Sequence, residues 1–377
     1  MSERLELSAM GAVRPPAAAA LASAQRREQQ GFDAIWWADH FLHWFPTSIW
    51  EPGLVPQAAA GQVSPHVWFD PVPVVAAAAG VTQTIRLGIG VTDLVRRHPA
   101  SLAQTALTLD HLSGGRFVLG VGTGEALNLT PFGLTNTRPL GRLEEGLEVM
   151  RLLMSGPGPV SFAGDHFRLD DAEMGLGPVG DRPPPIWVAA HRPRGLAVAG
   201  RYGDGWLPLS TDVAEYAGML AAVRAAAGAA GRDERAVTPG LYARVVVAET
   251  REQAEAAIDG SLLMRFIALT RSAEAFAKRG ADHPLGDGEF GLTTFLPTRY
   301  RRDEALRLAE AVPADVVRDT VIHGTPDDVA GAIAAFVDEG ARHVQLTNMT
   351  PLADPILAGA SESLLGDAVT AIRATRA

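Results

Sequence analysis

The chain has 377 residues, a net charge of −10, 47% hydrophobic and 20% charged residues, and no cysteine. That composition suits a globular chain and excludes bulk disorder, and the missing cysteines exclude disulfides, thiolate metal sites and a cysteine nucleophile. An acidic chain is a poor partner for nucleic acid, and no apolar run reaches the about 18 residues of a membrane span, so a cytoplasmic protein acting on a small molecule is expected.

The elements follow one another as strand and helix. Apolar, β-branched runs at 5–10, 32–37, 85–91, 116–121, 185–190, 204–207, 240–247 and 343–348 read as eight strands. Helical patterns occupy 15–30, 99–112, 139–154 and 326–340, the last with Thr325 as N-cap and Pro326 in its first turn. Eight buried parallel strands with helices between them predict a single-domain (β/α)8 TIM barrel over 1–377, with an open doubly wound sheet as the rival. Three connections are long: 41–70, 122–138 and 251–320. The first two follow strands directly, which in a barrel puts them at the catalytic mouth, and the third carries helical pattern and reads as a helical insertion.

Residues with chemistry gather just after strands. Asp39 and His40 end the second strand. His40 and His43 lie three apart without a third ligand of matching spacing, so no metal site is expected. Five of seven tryptophans, Trp36, Trp37, Trp44, Trp50 and Trp68, share one window, and Trp44 and Trp50 read as an apolar pocket wall. Gly88 and Gly90, followed by Val91 and Thr92, close the third strand, where glycines suggest close approach of backbone to something flat. The run Gly120-Val121-Gly122-Thr123-Gly124-Glu125 closes the fourth. It lacks the spacing of a dinucleotide fingerprint, and it offers Glu125 as an acid–base group and Asn128 as an amide hydrogen-bonder. After the fifth strand, His191, Arg192, Pro193, Arg194 and Gly195 open a helix, where free N–H groups and two arginines suit a phosphate. The one lysine, Lys278, leaves no Gly-Lys-Ser/Thr phosphate loop.

Together these stretches resemble the luciferase-like flavin and deazaflavin oxidoreductases, and more closely the branch that uses coenzyme F420. The run from Phe117 to Asn128, FVLGVGTGEALN, is the most specific part. Asp39-His40-Phe41 with Trp44, and Tyr202-Gly203-Asp204-Gly205-Trp206, also match. The resemblance implies a TIM barrel with the deazaflavin at the C-terminal ends of the strands, and a cis peptide between Gly90 and Val91 backing its ring together with Thr92. It implies that Asp39 holds the deazaflavin, that His40 transfers the proton at the substrate oxygen and that Trp44 walls the reacting centre. Glu125 then manages the proton of the ring nitrogen, Asn128 binds the ring system, and His191, Arg192, Arg194 and Gly195 meet the phosphodiester. A homodimer is implied as well.

Two departures bear on substrate. Sugar-phosphate dehydrogenases of this branch hold phosphate with lysines and an arginine; here the stretches in question read Ser210-Thr211-Asp212 and Arg318-Asp319, so a glucose 6-phosphate substrate is not expected. A second resemblance is closer: Val91-Thr92-Asp93 with Arg96-Arg97, Arg279-Gly280 with His283-Pro284, and His323-Gly324-Thr325-Pro326-Asp327 are similar to the phthiodiolone ketoreductases. The expected activity is hydride transfer between reduced F420 and a ketone or secondary alcohol, with a histidine as general acid. The alternatives are an FMN-dependent monooxygenase, a sugar-phosphate dehydrogenase with a rebuilt anchor, or a barrel that binds the deazaflavin or a metabolite without chemistry.

Overall fold

The computed structural model describes residues 4–286 and 291–375. Strands β1 (Glu6–Met10), β2 (Ala34–Trp37), β3 (Arg86–Asp93) and β4 (Phe117–Gly122) are followed by an antiparallel hairpin of β5 (Val160–Ala163) and β6 (Arg168–Ala172). Then come β7 (Ile186–Val188), β8 (Gly205–Trp206), β9 (Thr238–Val247), β10 (Ile322–Gly324) and β11 (His343–Asn348). β1 to β4, β7, β8, β9 and β11 pair in parallel around a closed ring, because β9 bonds to β8 at one edge and to β11 at the other. This is the expected barrel, and the closure rules out the open sheet. All eight expected strands are its staves. β10 is an additional strand beside the upper half of β9, and the β5–β6 hairpin is a second addition.

Eight helices stand outside, one after each stave: Ala17–Gln29, Pro71–Ala79, Pro99–Ser113, Pro139–Met154, Pro193–Tyr202, Val213–Ala229, Pro326–Asp338 and Ala358–Ala374. Their starts follow local chemistry. Asp70 accepts from Val72 N ahead of Pro71. Thr325 and Asp328 form a reciprocal capping box, and such caps contribute about 1 kcal/mol each.

Three apolar layers position the mouth. Inside the ring, Ala34, Trp36, Val118, Trp187 and Leu207 fill the lower barrel, and His343 meets the rings of Trp36 and Trp187 edge-on. A Cβ on Gly88 would lie 2.3 Å from the Trp36 indole, so only glycine fits beside it. With the lower barrel filled, the remaining room is at the C-terminal ends of the staves. The main core lies between staves and helices. A separate core forms above the mouth, where Trp44, Phe45, Ile49 and Val55 of the 41–70 connection pack on Phe266, Ile267, Phe276 and Phe295 of the insertion. The insertion is helical as expected, with helices at Arg251–Gly260, Leu262–Ala268, Ala273–Ala277, Gly291–Thr294, Arg302–Glu310 and Ala314–Arg318.

Candidate active site

Asp39 and His40 leave the end of β2 in opposite roles. Asp39 is 4% exposed. Its Oδ2 accepts from Thr92 Oγ1 at 2.6 Å and Arg97 Nε at 3.2 Å, and its Oδ1 accepts from Arg96 Nη1 at 3.0 Å. Arg96 also donates to the Asp39 carbonyl at 2.8 Å and to Asp93 at 2.5 Å, and Arg97 reaches Asp70 at 2.8 Å. Burial works to raise the Asp39 pKa, but Arg96, Arg97 and the Thr92 hydroxyl outweigh it and hold the carboxyl below its ordinary range. The charge of Asp39 is thus fully used inside the protein.

His40 faces the mouth. Its ring stacks on Trp68 at 4.8 Å between centroids. Its Nδ1 lies 2.9 Å from Asn128 Nδ2 and 3.6 Å from Glu125 Oε2. Asn128 is 2% exposed and decides the histidine's tautomer. Its Oδ1 takes the backbone N–H groups of Phe41 at 2.8 Å and Leu42 at 3.1 Å. Those partners can only donate, so the amide orientation is fixed and Nδ2 must be the donor toward His40 and toward Glu125, 3.3 Å away. Neutral His40 therefore accepts at Nδ1 and carries its proton on Nε2.

The end of β3 supplies a flat backbone surface. The Gly90–Val91 peptide is cis, as the resemblance implied, and pairing with β4 slips between Ile89 and Thr92. The slipped segment fills space that β4 leaves open. A Cβ on Gly120 would lie 2.5 Å from Ile89 O and 2.9 Å from a Val91 methyl, and one on Gly122 would lie 3.2 Å from the other Val91 methyl. The two glycines let the bulge press inward. A planar heterocycle fits this donor set: a glycine-backed peptide surface to lie on, with a histidine, a carboxylate and an amide on the adjoining strands β2 and β4.

The remaining expected residues are placed differently. Trp44 is buried and stacks with Phe295 at 6.1 Å. Trp50 stacks with Phe45 and donates to Gln62 O at 2.6 Å. Both tryptophans bind the 41–70 connection into the upper core, so the pocket-wall reading of Trp50 gives way to a packing role. His191 is held by its Nε2, which accepts from Leu209 N at 2.8 Å; burial pulls its pKa down to about 4, so the ring is neutral at pH 7. Gly195 is buried in the first turn of helix Pro193–Tyr202, while Arg192 and Arg194 are exposed and Arg192 pairs with Glu274 at 3.4 Å. Asp212, a departure noted in the sequence, caps helix Val213–Ala229 and pairs with Lys278 at 3.3 Å. Arg318 pairs with Asp259, and Asp319 with Arg279.

Sequence patterning does not single out Arg244, Arg271, Gln345 and Thr347, which the fold brings to the mouth. The available signal is a charged residue inside the otherwise apolar β9, and polar residues alternating along β11.

A closed barrel with this mouth is the architecture of a mouth-sited enzyme, and the comparisons name the family. The luciferase-like monooxygenase family model matches residues 3–343, and the chain belongs to that family. It is 35% identical over 337 residues to the phthiodiolone/phenolphthiodiolone dimycocerosates ketoreductase of Mycobacterium tuberculosis, covering 89% of this chain and 88% of that one. It is 38% identical over 242 residues to the F420-dependent hydroxymycolic acid dehydrogenase of the same organism, covering 63% and 61%. Among solved structures, an F420-dependent secondary alcohol dehydrogenase with an F420-acetone adduct superposes with a TM-score of 0.75 at 22% identity, over 98% of this chain and 99% of that one. A long-chain alkane monooxygenase superposes with a TM-score of 0.65 at 18% identity, over 96% and 92%. At those identities the two structures share the fold.

Proposed function

We infer that this protein is an F420-dependent oxidoreductase that moves a hydride between reduced deazaflavin and a ketone or secondary alcohol. The observation that carries the reading is the His40–Asn128–Glu125 cluster beside the Gly90–Val91 bulge. Similarity to a ketoreductase over nearly the whole chain supports it. When bound, the deazaflavin supplies the hydride. Gly90, Val91 and Thr92 back its ring, and the turn formed by His191, Arg192, Arg194 and Gly195 meets its phosphodiester.

The chain's own residues do the rest. As hydride reaches a carbonyl carbon, negative charge grows on oxygen, and His40, loaded as imidazolium beside Glu125, gives that oxygen its Nε2 proton and is left as the neutral ring. Asn128 and Trp68 fix the position and plane of the ring. Glu125 holds or releases the second proton next to His40 and accepts from the Asn128 amide. Asp39 acts through Thr92, Arg96 and Arg97, tying the end of β2 to the end of β3. Trp44 and the upper core exclude water, which strengthens each of these interactions.

The test is a titration of the purified protein with oxidised F420 and, separately, FMN, followed by tryptophan fluorescence, then ketone reduction with reduced F420. Tight F420 binding with ketone turnover is expected. Tight FMN binding with oxygen uptake would instead support the monooxygenase. Among the described residues no helix is long and apolar enough to cross a membrane. By the family resemblance, the protein works in the cytoplasm as a homodimer on a small-molecule ketone or alcohol. Light scattering checks the dimer.

A further inference from the structure

The wall of the mouth across from the β3 bulge carries buried polar groups that, among the described residues, have no ion-pair partner. In the ring of eight, β9 stands opposite β3. On the inner face β9 and β11 run in register, Tyr242 beside Gln345 and Arg244 beside Thr347. Arg244 is 8% exposed. Its Nη1 donates to Thr270 Oγ1 at 3.1 Å, and among the described residues no carboxylate forms an ion pair with it. The next residue after Thr270 is a second cation. Arg271 gives Nη1 to Thr211 Oγ1 at 3.0 Å, while its Nε is buried with no partner. Thr347 Oγ1 and both amide atoms of Gln345 are likewise buried without partners. Tyr242 hydrogen-bonds Arg244 from two residues along the same strand, Glu125 attracts it without forming an ion pair, and Arg271 repels it. His191 nearby is neutral and adds no positive charge. A buried guanidinium without a carboxylate is costly, and two neighbouring ones cost more.

We propose that Arg244 and Arg271, with Thr347 and Gln345, form an anion-binding subsite on the substrate side of the pocket, so that the substrate is a ketone or secondary alcohol carrying a carboxylate or phosphate. The proposal rests on the reading of the site as a ketone or alcohol oxidoreductase. A guanidinium fork matches either anion through paired N–H donors. The hydroxyl and amide supply further hydrogen bonds. The stretch at 210–212 is a separate matter, since Asp212 is committed to its helix cap and to Lys278.

The test uses levulinate and its neutral methyl ester as matched ketones, and inorganic phosphate as a probe on the cofactor-free protein. Wild-type protein is expected to bind phosphate and levulinate without cofactor, with affinity falling at least about tenfold in R244Q and R271Q. With reduced F420, levulinate is expected to exceed its ester in kcat/KM by about tenfold or more, and R244Q removes that preference. R244K, which keeps the charge but loses the fork, restores part of it. The affinity for F420 stays near wild type in R244Q.

Two results overturn the proposal. One is no discrimination between acid and ester by the wild type. The other is a loss of F420 affinity in R244Q that is absent with the phosphate-free deazaflavin riboside, which would assign the anion to the cofactor. If no ketone is reduced at all, the oxidoreductase reading fails, and the cofactor-free phosphate titration still decides whether the subsite exists.

Discussion

On the β2–β3 wall, Asp39 and Asp93 absorb the charges of Arg96 and Arg97, and every oxygen of Asp39 has a donor within 3.2 Å. On the β9–β11 wall across the barrel, the buried Arg244 meets the hydroxyls of Thr270 and Tyr242, and among the described residues of the insertion the charge acting on it is another arginine, Arg271. The first wall is complete as it stands, and its charges hold the ends of two strands together. The second has no ion pair among the described residues, only hydroxyl partners. Buried ion pairs of the first kind contribute little net stability but become very costly when halved, whereas an uncompensated charge is a standing cost that a ligand can relieve.

The largest expected effect falls on the residue between the two walls. His40→Ala should lower turnover by about 10²–10⁴-fold while leaving cofactor affinity near wild type. Parallel loss of both in steady-state and binding measurements would remove His40 from the acid role. Next come paired substitutions that compare the walls directly. Asp39→Ala leaves Arg96 to Asp93 alone and Arg97 to Asp70 alone and should cost about 3 kcal/mol in urea unfolding, while Arg244→Met removes a charge with no ion-pair partner among the described residues and should leave stability unchanged or raise it by about 1 kcal/mol. Equal destabilisation by both would erase the distinction.

Smaller is Asn128→Asp. A carboxylate in place of the amide would accept from His40 Nδ1 instead of donating to it and would favour the imidazolium, moving the alkaline limb of the kcat profile for ketone reduction up by about one pH unit. An unchanged profile would show that Asn128 does not govern His40.

The smallest effect is on acid stability. Burial lowers His66 and His191 to about 4, so between pH 6.5 and 4 the unfolded chain binds protons that the folded chain refuses. Stability should be flat above about pH 7 and fall as pH drops through that window. His66→Gln should flatten part of the fall in a series of melting curves.

Much of the barrel was legible because parallel strands buried on both faces leave unmistakable apolar runs, and each of the eight marks a stave. The hairpin of β5 and β6 was not. Its strands are half-exposed and alternate weakly, with Asp170 and Asp171 inside β6. The site was legible on one wall. His40, Glu125 and Asn128 lie at strand ends within recognisable motifs, and the structure brings them within 3.6 Å of one another. Trp50 was read as pocket wall because a tryptophan in a connection looks unpartnered until Phe45 and Gln62 are found beside it.

The sequence by itself determined the order of strands and helices, the closed barrel they imply, and the family motif that ends β4, because periodicity, caps and glycine spacing are local properties of the chain. Tertiary structure alone decided which charges are spent and which are free. Asp39 meets Arg96 and Arg97 across more than fifty residues, and Arg244 meets the insertion at Thr270. Coulomb energy and burial depend on distance in space and on what excludes water, and neither is written in the spacing of residues along the chain.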